Sequence, residues 1–244
     1  MTTPIQLSDN HEAMSRQAAE RILRGLANKP DLLLCAAGGS TPLRTYQLLA
    51  ESCAGSPAKF RTLRVVKLDE WGGLGGDTPG SCEAQLRSHL AVPLNLQQRY
   101  FGFQGEASDP EADCARVRGR LETEGPIDLC VLGLGLNGHV GMNEPAPFLQ
   151  PTAHVAHLTE TSLNHPMLAN TRSRPSYGLT LGMAEILTSR EILLLVSGAN
   201  KREPLRRLLR REITTGFPAS LLWLHAHWTL LCDRDAAEGF DLKL

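Results

Sequence analysis

Four short stretches of this chain hold side chains able to bind an anion or move a proton. CAAGGSTP (35–42) has Gly38 and Gly39, which let the backbone approach a ligand closely, followed by the hydroxyls of Ser40 and Thr41. A helix beginning there would turn unpaired N–H groups and a positive dipole toward a phosphate. The stretch is neither a GK[ST] loop nor GxGxxG, so a nucleotide is not implied. In KLDEW (67–71), Asp69 and Glu70 end an apolar run. Carboxylates rarely stand at the end of a buried strand without a partner, a capping role or a reaction to serve. GLGLNGHVGMNEP (133–145) carries His139, able to act as acid or base near neutral pH, with Glu144 close enough to orient it and Asn137 two residues before it. SGANK (197–201) places Lys201 after a glycine turn, where an ammonium can meet a phosphate as a point charge. Each stretch alone also has a plainer explanation: a capped glycine turn, an aspartate cap, a structural histidine, a surface lysine.

The elements that must hold these residues are legible as runs. Apolar segments at 31–38, 63–71, 127–135, 177–182, 191–198 and 228–233 are dense in Leu, Val and Ile. Strands covered on both faces read this way, without polar alternation. Helix-like segments at 11–27, 42–53, 82–90, 110–123, 183–188 and 203–213 lie between them. The alternation predicts an α/β fold: a three-layer, doubly wound, mostly parallel sheet with helices on both faces, formed by residues 1–244 as one domain. Ligands of such sheets bind beyond the carboxyl ends of the strands, where all four stretches fall. Thr41 reads as a helix N-cap with Pro42 at the first helical position. In 203–213, Leu205, Leu208, Leu209 and Ile213 form the apolar stripe, leaving Arg206, Arg207, Arg210 and Arg211 on a solvated face. The segment 143–176 reads as irregular, and 145–175 as a candidate lid.

Bulk properties narrow the partners. Lys and Arg number 25 against 26 Asp and Glu, so overall charge argues for neither nucleic acid nor an anionic membrane. Hydrophobic residues make up 42% of the chain, enough for a sizeable core. No apolar run approaches the roughly 20 residues that span a bilayer. Six scattered cysteines lack CxxC or zinc spacing, so no metal is expected and a reducing, cytoplasmic setting is. Oligomeric state stays open, a homo-oligomer included. Together the four stretches suit a small phosphorylated substrate undergoing proton transfer with no cofactor.

In this order GGSTP, LDEW, GHVGMNEP, LTLGMAEIL, SGANK and PASLLWLH resemble the glucosamine-6-phosphate deaminase family, which shares its fold with 6-phosphogluconolactonases; the similarity runs from Asp31 to Asp233. Within it the chain is most similar to the short galactosamine-6-phosphate deaminase/isomerase branch. The resemblance implies a Rossmann-like fold and a deaminating aldose–ketose isomerase converting galactosamine 6-phosphate to tagatose 6-phosphate and ammonia. It assigns the phosphate to Gly38, Gly39, Ser40, Thr41 and Lys201 with an arginine, Arg172 of ANTR (169–172) or, as runner-up, Arg174. Asp69 would shuttle a proton between C2 and C1, and His139, assisted by Glu144, would open the pyranose ring. The family's usual DGH is here Asn137-Gly138-His139, which the galactosamine branch tolerates. An asparagine there is expected to accept a hydrogen bond from the imidazole without stabilising its charge. The competing readings are the C4 epimer glucosamine 6-phosphate, lactone hydrolysis and a non-catalytic sugar-phosphate sensor. NEP after the histidine and LDEW in place of DER argue against the lactonase. A sensor would not need Asp69, His139 and Glu144.

Overall fold

The computed structural model describes residues 5–169, Thr171 and residues 174–240. Its strands are β1 (Ile5–Ser8), β2 (Leu33–Ala36), β3 (Arg64–Lys67), β4 (Asp69–Trp71), β5 (Tyr100–Phe101), β6 (Leu129–Gly133), β7 (His154–His157), β8 (Tyr177–Thr180), β9 (Glu191–Val196) and β10 (Trp228–Asp233). The helices are α1 (His11–Asn28), α2 (Ser40–Gly55), α3 (Cys82–Leu86), α4 (Pro110–Glu124), α5 (Glu160–Leu163), α6 (Met183–Leu187), α7 (Arg202–Leu209) and α8 (Arg234–Ala237).

Seven strands form one sheet in the order β1-β10-β9-β6-β2-β3-β5, with every pairing parallel. Successive residues feed two separate cores, which is why the strands carry no polar alternation. Leu33, Cys35, Ile192, Leu194 and Val196 pack with Val117 of α4 and Leu205 and Leu208 of α7. Leu34, Ala36, Leu193 and Leu195 pack on the other face with Ile22 of α1 and Leu49 of α2. From β2 the chain runs outward through β3 to β5, then returns to place β6 on the other side of β2. The reversal between β2 and β6 is the point where doubly wound sheets open a crevice.

Two expected strands are reassigned. The run 63–71 divides at Leu68, whose N–H still bonds Ala36 O on β2 while its carbonyl accepts from Leu181 N. Beyond it β4 pairs antiparallel with β8, so 177–182 contributes to a second sheet, β4-β8-β7, rather than to the parallel one. The second sheet also uses β7, within the segment expected to be irregular. The edge strands β1 and β5, of four and two residues, are too short to show as runs.

Helix α2 starts two residues earlier than expected. Gly39, at φ 106°, is the N-cap, so Thr41 lies in the first turn and Pro42 is the third helical residue. Helix α7 ends at Leu209, which leaves Ile213 exposed rather than on the buried stripe. Arg206, Arg207, Arg210 and Arg211 are exposed as expected, and two of them also cover aromatic rings: the Arg207 guanidinium carbon lies 4.6 Å from the Phe217 ring centroid, and that of Arg211 lies at the same distance from Trp223.

The division at Leu68 is held by a buried ion cluster. Lys67 Nζ lies 2.7 Å from Glu70 Oε2 and 2.7 Å from Glu83 Oε2, with the Lys67 and Glu70 side chains wholly inaccessible. The N–H groups of Trp71, Cys82 and Glu83 and the Tyr100 hydroxyl donate to the two carboxylates. Burial disfavours the Lys67 ammonium, but the two carboxylates more than offset this and raise its pKa. Removing one partner of a buried pair strands the other charge. Lys67→Met is therefore expected to cost about 3–5 kcal/mol of stability, read from the urea midpoint. A loss within experimental error would show that the cluster does not hold the β3–β4 junction.

Candidate active site

The crevice at the β2/β6 reversal is a cavity of about 320 Å³ lined by Gly38 to Thr41 after β2, Asp69 and Trp71 of β4, Gly133 to Leu136 and His139 at and beyond the end of β6, Ser162 of α5 and Lys201 before α7. The four chemically suggestive stretches therefore converge on one space. Asn137 and Glu144 do not line it but sit against His139. Arg172 falls outside the described residues, and Arg174 pairs with Glu160 at 3.0 Å.

The residues expected to cradle a phosphate lie at the start of α2. No side chain caps Gly39. Its own N–H bonds Gln85 Oε1 at 2.7 Å, while Gln85 Nε2 returns a bond to Gly39 O at 3.2 Å, so α3 clamps the loop on both sides. Lys201 is held by Leu134 O, 2.6 Å from its Nζ, and no carboxylate among the described residues pairs with it. Burial alone lowers its pKa. An anion entering the cavity would reverse that cost.

Asp69 is buried in the cavity wall, and among the described residues only Cys82 Sγ, at 3.7 Å, donates a hydrogen bond to its side chain. Burial first and the neighbouring Glu70 second push its carboxyl up to about 6; His139, Cys82 and Lys67 offset this in part. The nearby cation does not neutralise Asp69 because Lys67 is already shared by Glu70 and Glu83. Glu70, the second carboxylate of KLDEW, is thus structural.

His139 is set in place by close packing. A Cβ on Gly135 would fall 2.4 Å from the imidazole, so the ring can occupy this position only against glycine. The Gly135 N–H bonds His139 O at 3.0 Å. The following turn is pinned by Asn143, whose Nδ2 donates to Val140 O and Leu181 O at 3.0 and 2.8 Å. That turn carries Glu144 to 3.6 Å from His139 Nδ1.

The expected bond from Asn137 to the imidazole is not present. Asn137 Oδ1 accepts from the His139 backbone N–H at 3.1 Å, and Nδ2 donates to Glu144 Oε2 at 2.7 Å. The backbone at Gly138 folds the amide back along the loop, so Asn137 acts on the glutamate. Two residues without an obvious sequence signal complete the arrangement. Ser162 Oγ lies 3.3 Å from His139 Nδ1 and donates to Glu144 Oε1; Thr159 Oγ1 donates to Glu144 Oε2 at 3.0 Å. Both come from α5 and its N-cap, inside the segment expected to be an irregular lid. A cap residue before an acidic turn, TETS, was the only local sign. Burial pushes the Glu144 carboxyl up, but His139, Ser162 and Asn137 together hold it below its ordinary value.

This geometry can bind a phosphate at the Gly38–Lys201 end and move protons at the Asp69–His139 end. The family model for glucosamine-6-phosphate isomerases/6-phosphogluconolactonase matches residues 7–231. The chain belongs to this family. It is 41% identical over 93% of its length to the Escherichia coli K12 protein named "Putative deaminase AgaI", covering 90% of that protein. It is 38% identical to the glucosamine-6-phosphate deaminase of Geobacillus sp. WCH70, over 93% of this chain and 92% of that one. A solved monomeric glucosamine-6-phosphate deaminase superposes with a TM-score of 0.91 at 35% identity, over 96% of this chain and 98% of that one. The 6-phosphogluconolactonase of Leishmania guyanensis shares the fold, with a TM-score of 0.80, at 21% identity over 98% and 99% of the two chains.

Two outcomes are expected from this family site. Asn137→Asp replaces a donor to Glu144 with a like charge, so the Glu144 carboxyl pKa should rise, read by carboxyl carbon NMR. An unchanged value would mean that position 137 does not act on the glutamate. Asp69, whose folded pKa lies above its unfolded one, favours the folded state fully below about pH 4 and loses that contribution as pH rises through about 6. Asp69→Asn should accordingly stabilise the protein above pH 6 by an amount on the order of 3 kcal/mol, and not at pH 3. Melts at the two pH values check it; a pH-independent difference would contradict the raised carboxyl.

Proposed function

We propose that this chain is an amino-sugar-phosphate deaminase that isomerises an aldose to a ketose, with galactosamine 6-phosphate as substrate and tagatose 6-phosphate and ammonia as products. The observation that carries the reading is Asp69. A buried carboxylate with no cation of its own, raised to about 6, shares one cavity with a phosphate cradle and a His/Glu pair. General-base efficiency is greatest when the pKa lies near the working pH.

In this reading Gly38, Gly39, Ser40, Thr41 and Lys201 hold the phosphate, with Arg172 as the expected arginine. Binding energy from that remote group positions the reacting carbons. His139 moves the proton from the O1 hydroxyl to the ring oxygen, and Glu144, kept ionised by its donors, steadies the imidazolium. Asp69 takes the C2 proton of the open-chain sugar and returns it to C1. The resulting ketose imine adds water and releases ammonia. The galactosamine preference is supported by the asparagine at position 137 and by the resemblance of the motif order to that branch. The glucosamine reading is supported by the several glucosamine-6-phosphate deaminases among its relatives.

Purified protein given galactosamine 6-phosphate, glucosamine 6-phosphate and 6-phosphogluconolactone in parallel is expected to release ammonia fastest from the first. No ammonia from either amino sugar would overturn the deaminase reading; faster release from glucosamine 6-phosphate would overturn only the epimer. The rate should fall as pH drops through about 6, where Asp69 takes up a proton. Asp69→Asn should abolish turnover while inorganic phosphate still binds.

A further inference from the structure

His165 lies on the wall of the same cavity. It precedes the short turn Pro166–Leu168, and its Nδ1 accepts the Met167 N–H at 3.2 Å. The turn is seated by Gly80, where a Cβ would fall 2.3 Å from the Met167 carbonyl. The ring centroid stands 5.9 Å from that of Trp71, which follows Asp69 and Glu70 on β4. His165 is thus fixed from both sides.

Its protonation state follows from these contacts. Burial, then His139 and Lys201, lower its pKa to about 4, so the ring is neutral near pH 7. Because Nδ1 is the acceptor, the single proton sits on Nε2. Among the described residues no protein acceptor meets that N–H. A donor of fixed tautomer is left on a side chain that lines the cavity, at a place influenced by both His139 and Lys201.

We propose that His165 is a substrate-binding residue whose Nε2–H donates to a hydroxyl of the sugar chain between the phosphate and the reacting carbons. This rests on the sugar-phosphate reading of the site. The phosphate is met at the Lys201 end and C1 and C2 at the Asp69 end, so a neutral donor between them meets the intervening hydroxyls. A neutral donor suits an uncharged acceptor and adds no charge to the phosphate pocket.

The two ring nitrogens are separable by substitution. His165→Asn keeps an acceptor for the Met167 N–H and loses the distal donor. His165→Gln carries an amide N–H near the Nε2 position. Calorimetry would use sorbitol 6-phosphate, which can be neither deaminated nor hydrolysed as a lactone, and inorganic phosphate. The expected result is about five- to tenfold weaker sorbitol 6-phosphate binding by His165→Asn, the equivalent of one neutral hydrogen bond, with near-normal binding by His165→Gln. Inorganic phosphate should bind wild type and both variants alike. The proposal is overturned if His165→Asn binds sorbitol 6-phosphate normally, if His165→Gln is as weak as His165→Asn, if phosphate binding falls in parallel, or if wild type does not bind the sugar phosphate. Failure of the deaminase reading shows separately, as wild type that binds sorbitol 6-phosphate yet releases no ammonia from either amino sugar.

Discussion

Lys67 is the constraint on which the rest of the site depends. Three carboxylates, Asp69, Glu70 and Glu83, crowd the end of β3, and this one ammonium lies among them with no solvent access. It pairs with two of the three. Glu70 is satisfied by three backbone N–H groups as well, and in accepting them it fastens the start of α3 to β4. Asp69 is left with the desolvation cost and no compensating cation. Its raised pKa is therefore a consequence of how its neighbours are satisfied.

Helix α3 relays that arrangement to the other end of the cavity. Cys82, whose N–H bonds Glu70, places its thiol against Asp69; one turn later Gln85 grips both sides of Gly39. The distance between the carboxylate and the phosphate cradle is thereby set by a five-residue helix. On the opposite wall α5 does the same for the His139–Glu144 pair through Ser162 and Thr159. Neither short helix would be stable alone, since isolated helices of this length are marginal. Each persists because its polar ends are used as ligands for site residues.

Much of this was legible in the chain. The parallel, two-faced architecture and five of the seven strands of the main sheet follow from apolar runs without polar alternation, because strands feeding cores on both faces have no solvent face to mark. The four strand-end stretches were legible for a related reason: glycine, hydroxyl and charged residues directly after such runs conflict with burial unless something needs them there. The ordered motifs were sufficient for the family. What local pattern could not supply was the path of the chain at Leu68. A one-residue switch from the parallel sheet to the antiparallel one leaves the apolar run unbroken, so 63–71 reads as a single strand.

The sequence by itself determined the fold class, the layering and the group of residues that face the cavity, since these depend on burial periodicity and on position relative to strand ends. Only the tertiary structure decided how those residues divide the labour. It set Glu70 apart from Asp69, turned Asn137 from the imidazole to Glu144, and brought Ser162, Thr159 and His165 to the site from a stretch that reads as irregular. The reason is physical: which carboxylate receives the buried ammonium, and which side chain reaches a ring nitrogen, depends on contacts between residues 15–23 positions apart. No periodicity within either segment encodes such contacts.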